Sequence, residues 1–218
     1  MRNIDYYRQI HHSNAGYGAG SRHFYFVCSV LIYLESRSVL DFGCGKGVLA
    51  DQIQQVPHLT CKKYDPAIPG IDAIPTDHFD CLVNTDVLEH IPEPELDETI
   101  RHFPKLSDTA IVIPHLRKAA QLLPNGENAH CTLKKPDEWK EILSGYYANV
   151  TLLPHESDRH AMLLCNQASI DLEPVKFALQ YLAEMVNDPR RISVRLDDPL
   201  RVRVRRSIKT ILGTRVLR

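Results

Sequence analysis

One short segment constrains this chain more than any other: Val39-Leu40-Asp41-Phe42-Gly43-Cys44-Gly45-Lys46-Gly47-Val48-Leu49. An apolar run ends in an acid, three glycines follow at alternate positions, and an apolar helical stretch begins. Glycine reaches backbone angles closed to other residues and leaves bare backbone for a ligand to lie against. A strand that feeds a helix through such a loop is the opening unit of a doubly wound sheet, whose ligands bind at the carboxyl ends of the strands. The spacing is GxGxG, with Asp41 two residues ahead, and it differs from the dinucleotide fingerprint GxGxxG.

The rest of the chain agrees with such a sheet. Strands are expected at 38–42, 59–64, 80–85, 109–113, 150–153 and 161–165, and helices at 21–35, 48–55, 94–103, 136–143 and 175–186. Alternating strands and helices imply a mostly parallel sheet. The last two strands share a short connection, which makes them an antiparallel pair at one edge. Before the first helix, 5–21 reads as a non-helical polar and aromatic segment, broken by Gly16, Gly18 and Gly20. The 218 residues suffice for one sizeable core and not for two enzyme domains. The expected fold is α/β, with residues 1–170 as the main domain and 171–218 as a C-terminal helix and basic extension.

Two further segments give the glycine loop its meaning. Asp65 ends the second strand, about twenty residues past the loop, where an acid accepts ribose hydroxyls in nucleotide-binding folds. The block Phe79-Asp80-Cys81-Leu82-Val83-Asn84-Thr85-Asp86-Val87-Leu88-Glu89-His90-Ile91-Pro92 is the second. Together these residues resemble class I S-adenosylmethionine-dependent methyltransferases of the type 11/23-like kind, over roughly residues 39–165. The resemblance implies a Rossmann-like sheet and S-adenosyl-L-methionine as cofactor. It implies that Asp41, Gly43, Cys44, Gly45 and Gly47 hold the methionine part and Asp65 the ribose. Asn84, Thr85, Asp86 and His90 then stand near the sulfonium. The chain departs from the family pattern between Asp65 and Phe79, where the usual crossover helix and third strand are compressed into residues 66–75. Asp72 is the candidate there for the adenine amine.

The acceptor side is less specified. A hydroxyl acceptor calls for a base, and histidine is the usual one. His130 is the first candidate and His115 the second. His130 lies in the polar run Pro124-Asn125-Gly126-Glu127-Asn128-Ala129-His130, read as a substrate lid. Tyr17, His12 and Asn128 are candidate substrate contacts, the first two in an N-terminal segment that closes over the cofactor. The pattern is similar to bacterial methyltransferases found with surface-polysaccharide biosynthesis, which implies a sugar or related small-molecule acceptor. The alternatives are an RNA- or protein-directed methyltransferase and a non-catalytic cofactor-binding scaffold.

Charge separates along the chain. Residues 189–218 hold ten Lys/Arg against two acids, whereas 1–188 hold sixteen against twenty-five. An acidic body disfavours nucleic acid as partner. The basic tail, with Ile208, Ile211 and Leu212 at helical spacing, suits an anionic membrane surface. Without a secretion signal or an apolar span, the expected location is cytoplasmic and peripheral to the inner membrane. The six cysteines form no CxxC pair and are expected to be reduced and mostly buried. The eleven histidines show no HExxH-type spacing, so no metal site is expected.

Overall fold

A computed structural model describes residues 3–13, 18, 22–155 and 157–187. Tyr17 and the basic tail lie outside these residues.

The apolar runs form one six-stranded sheet in the order β2-β1-β3-β4-β6-β5. Its strands are β1 (Ser38–Phe42), β2 (Thr60–Tyr64), β3 (Cys81–Thr85), β4 (Thr109–Ile113), β5 (Asn149–Leu153) and β6 (Met162–Asn166). The first four pair in parallel, while β6 runs antiparallel to both β4 and β5. Strand side chains alternate between faces, and each face here has its own core. Val39, Val83, Ile111 and Ile113 point into one cluster with Leu49 and Ile53 of α3 (Val48–Ile53) and Leu31 of α2 (Phe24–Tyr33). Leu40, Leu82, Ala110 and Val112 point into the other. There they meet Ile100 of α4 (Leu96–Ile100), Phe103 of α5 (Phe103–Leu106) and Trp139 of α6 (Pro136–Ser144). Covering a parallel sheet on both faces is what leaves its strands nearly continuous in apolar residues.

α7 (Glu173–Asn187) joins the first of these cores, with Val175, Leu179 and Leu182 buried. It therefore packs on the body of the fold.

Several expectations are corrected. Residues 3–13 form a helix, α1 (Asn3–Ser13), because the glycines begin only at 16 and cannot interrupt a turn that ends before them. The helix expected from 21 begins at Phe24, with His23 as its N-cap. The helix expected at 94–103 is divided into a 3₁₀ turn at Glu93–Glu95, α4 and α5. The compressed stretch 66–78 contains turns and no strand, so β2 is a sheet edge. That edge carries Lys62, paired to Asp77 at 2.7 Å, and Lys63, paired to Asp51 at 2.6 Å. Charged side chains are a common device against edge-to-edge pairing.

Candidate active site

The carboxyl ends of β1 to β4 open on a cleft of ≈ 1040 Å³. Its floor is the glycine loop. Gly43 and Gly45 both sit at positive φ, 83° and 53°. A Cβ on Gly45 would lie 2.5 Å from the carbonyl oxygen of Gly18, and one on Gly43 would lie 2.5 Å from the Val87 side chain. Only glycine fits at either place. The loop is fixed to β2 by the amides of Gly43 and Cys44, which donate to the Tyr64 carbonyl at 2.7 and 3.0 Å. It is fixed to the N-terminal segment by the Lys46 amide, which donates to the Gly18 carbonyl at 2.9 Å.

Two acids flank the loop. Asp65 accepts from the Gly45 amide on one oxygen and from the Ala67 amide on the other, both at 2.8 Å. A carboxylate oxygen has a second lone pair, so Asp65 shapes the loop and still offers acceptors to the cleft. Asp41 is buried, and its Oδ2 meets no hydrogen-bond partner. Burial, and then the neighbouring Asp65 charge, push its carboxyl up to about 7. A buried acid with an open lone pair beside bare backbone is poised for a cationic ligand group.

The far end of the cleft is built of histidines. His90, His130, His115, His160 and His23 form a continuous row, with consecutive ring centroids 4.6–4.7 Å apart. His155 closes on His23 and His160 at 5.2 and 5.4 Å. Asp86, at the end of β3, has a positive φ of 55°, a strained conformation for a residue with a side chain. Its carboxylate is clamped, with His160 Nε2 donating to Oδ1 at 3.1 Å and His23 Nε2 donating to Oδ2 at 3.2 Å. Burial pushes the Asp86 carboxyl up, but the bonds and charges of His160 and His23 outweigh it and hold the group well below the carboxylate range. Behind this row lies Glu89, fully buried. Burial and then Asp86 push its carboxyl well up, against a smaller opposite pull from its own amide and that of His115. Neither Glu89 oxygen meets a partner in hydrogen-bonding geometry.

A strap from 115 to 132 forms the outer wall. It turns at Gly126 and is pinned by Asn128, whose side chain bonds the amide and carbonyl of Ala119 and the amide of His130. Its return leg is tied to the 3₁₀ turn Leu88–His90 and the residue after it. The Thr132 amide donates to Glu89 O at 3.0 Å, and the Thr132 hydroxyl donates to Ile91 O at 2.6 Å. The strap also meets α1, where Ile10, Leu123 and Ala129 form a small apolar cluster.

Of the expected site residues, Asp41, Gly43, Cys44, Gly45, Asp65, Thr85, Asp86, His90, His115 and His130 line the cleft. The others stand elsewhere. Asn84 is buried and donates to the Phe42 carbonyl at 2.8 Å, tying β3 to β1. Gly47 caps α3. Asp72 is exposed and accepts from the Gly70 amide at 3.2 Å, leaving Ala67 and Ile74 as the wall on that side. Asn128 is consumed in the strap, and His12 is exposed on α1. His11, in the N-terminal segment expected to close over the cofactor, lines the cleft; sequence reasoning missed Tyr7 of α1, and Arg22, His23, Glu89, Arg117, Arg159 and His160. None of these sits in a recognisable linear motif except Glu89, which stands inside the block 79–92.

Likeness to known proteins agrees with this geometry. A methyltransferase-domain family profile matches residues 20–151. A search of curated proteins finds none that matches. Among solved structures, the mitomycin 7-O-methyltransferase MmcR superposes with a TM-score of 0.55 at 13% identity, over 75% of this chain and 61% of that one. The chain thus spans under two thirds of that protein's length. The magnesium protoporphyrin IX methyltransferase (ChlM) of Synechocystis PCC 6803, with bound SAH, gives 0.55 at 17% identity, over 77% and 100%. The methyltransferase domain of bacterial CtHen1 gives 0.52 at 17%, over 67% and 100%. These structures share the fold, and the profile covers more than half of the sequence: the chain belongs to the methyltransferase-domain family.

Proposed function

We propose that the chain is an S-adenosylmethionine-dependent methyltransferase that O-methylates a sugar of a cell-surface glycan or a related small molecule. The observation that carries this reading is the pairing, in one cleft, of the acid-flanked glycine loop with a wall of histidines. When bound, S-adenosylmethionine supplies a methyl group on a positively charged sulfur, already activated as a leaving group. The protein's task is to position the acceptor and dispose of its proton. The residues present fit such a donor. Gly43 and Gly45 present bare backbone, Asp41 offers an open carboxylate oxygen to the methionine amine, and Asp65 offers acceptors to the ribose. Thr85 and Asp86 line the same cleft, and Asp86 meets the histidines through His23 and His160.

At the acceptor end, His115 and His130 face the cleft, and burial lowers the proton affinity of both. Each is therefore uncharged near neutral pH, as removal of a hydroxyl proton requires. Arg22, Arg117, Lys118 and Arg159 line the same end, so the acceptor matched best carries negative charge, as an acidic or phosphate-linked sugar does. The basic tail would hold the enzyme at an anionic membrane where such glycans are assembled.

Calorimetry with S-adenosylmethionine and S-adenosylhomocysteine tests the cleft. Both should bind the wild-type protein, and Gly45→Val and Asp41→Ala should lose binding. Wild-type affinity in both variants would overturn the placement. Incubation with glycan, lipid and RNA extracts then tests the acceptor by mass spectrometry. A gain of about 14 Da per transferred methyl on a glycan supports the proposal, and the same gain on RNA alone overturns it.

A further inference from the structure

We infer that Glu89, His90 and His130 form a binding site for a divalent transition-metal ion in the wall of the acceptor end. The inference rests on the acceptor-end reading above and changes one role in it, making His130 a ligand rather than the base.

The donor atoms of these three residues lie within 4.8 Å of one another. A second group, His23, Asp86 and His160, is as compact, but hydrogen bonding separates the two. In the second group every short contact is explained without an ion. The Ser157 amide donates to His155 Nδ1 at 3.2 Å, so His155 carries its proton on Nε2 and donates it to His23 Nδ1 at 3.1 Å. His23 in turn donates from Nε2 to Asp86. His160 Nε2 supplies the other Asp86 oxygen. That set is a hydrogen-bonded relay of imidazoles around a carboxylate, with His160 Nδ1 alone among its ring nitrogens left without a hydrogen bond.

The Glu89 group is built differently. His130 Nδ1 lies 2.5 Å from the Arg117 carbonyl and donates to it, which leaves the lone pair on Nε2. That nitrogen stands 3.9 Å from Glu89 Oε1. His90 Nδ1 lies 2.9 Å from the Ala129 carbonyl, and 3.0 Å from a Tyr7 hydroxyl that itself donates to the same carbonyl. His90 therefore also carries its proton on Nδ1, with the lone pair on Nε2. Imidazoles held by an Nδ1–H to a backbone carbonyl are the usual arrangement around a bound metal, because that bond fixes tautomer and orientation. Glu89 supplies the independent observation: its carboxyl is fully buried and both oxygens lack a hydrogen-bonding partner. Leaving such a group unsatisfied is costly, and a cation satisfies both oxygens at once.

Two imidazoles and one carboxylate suit zinc, cobalt, iron or manganese, and leave further positions open. His90 and His130 line the cleft, with Glu89 behind them, so the open positions face the acceptor. A hydroxyl bound there is acidified by the ion. Its proton leaves to solvent through the open cleft, its oxygen forms the bond to the methyl carbon, and the carbon–sulfur bond breaks with its electrons passing to sulfur. The products are the methyl ether and S-adenosylhomocysteine.

The test is titration of chelator-treated full-length protein with cobalt(II), followed by visible absorption and by displacement with zinc(II), without cofactor. Wild type should bind one equivalent. Glu89→Gln and His130→Gln should each weaken binding by at least about 10–100-fold, while His160→Gln binds as wild type. Circular dichroism checks folding, and His130→Gln carries the test if Glu89→Gln does not fold. No binding by wild type, or loss in His160→Gln with retention in Glu89→Gln, overturns the inference. S-adenosylhomocysteine calorimetry on the same samples reads the cofactor cleft separately, so failure of that reading leaves the cobalt result standing.

Discussion

At the residue scale, the proposed function makes Asp41 the group whose state most directly sets cofactor binding. Burial and the Asp65 charge place its titration near about 7, and a cationic amine favours its ionised form. Cofactor affinity should therefore weaken as pH falls below about 7, by up to about tenfold per pH unit. Binding near pH 6 should also release a proton. Calorimetry in buffers of different ionisation enthalpy measures both, and a pH-independent affinity would show that the amine does not meet Asp41. Gly45→Ala makes a second prediction. Its Cβ meets the Gly18 carbonyl oxygen at 2.5 Å with φ at 53°. The variant should lose about 1–3 kcal/mol of stability and bind cofactor poorly, as thermal melts with and without ligand would show. These residues were legible because their requirements are local: a positive φ needs glycine, and an acid beside the loop needs only two residues of spacing. His23 and His160 were not legible. They are 137 positions apart and meet only because the residue before α2 and the residues before β6 converge on the end of β3.

Among elements, α1 and the strap are what turn an open sheet end into a cleft. They meet through the cluster of Ile10, Leu123 and Ala129, and through the Tyr7 hydroxyl, which donates to the Ala129 carbonyl at 2.8 Å. Tyr7→Phe removes that bond, which is worth about 1 kcal/mol. Limited proteolysis within residues 3–13 should then become about fivefold faster, with the core unaffected. An unchanged cleavage rate would show that the apolar cluster alone holds the helix. The polar run was legible as a loop beside the cleft, but the role of Asn128 was not. Its side chain is spent on Ala119 and His130, a choice made by the turn's closure rather than by residue type. The stretch 66–78 shows the reverse case. Its shortness alone excluded an ordinary crossover, and no strand forms there.

At the scale of the whole molecule, two apolar layers enclose the sheet, and the histidines collect beyond the carboxyl ends of β3 and β4. His155 is lowered to about 4 by burial and then by the charges of His23 and His160. Its folded value lies below the ordinary 6.5, so the unfolded chain takes up the proton first. Its contribution to stability is present above pH 6.5 and is lost as pH falls toward about 4. Asp41 acts in the opposite sense, giving stability that is fully present at low pH and lost as pH rises through about 7. The clean measurement is therefore the difference between wild type and His155→Gln. Melting temperatures from about pH 7 to pH 4 should fall less steeply in the variant. Parallel slopes would place the titration elsewhere.

The sequence by itself determined the sheet, the glycine cradle and its two acids, because periodicity and backbone permission are properties of neighbours along the chain. Tertiary structure alone decided which histidines became neighbours, which of them are satisfied by Asp86, and that Glu89 is buried without a partner. Those outcomes depend on how distant elements share one enclosed space, where burial sets both the charge a group can carry and the bonds it must find.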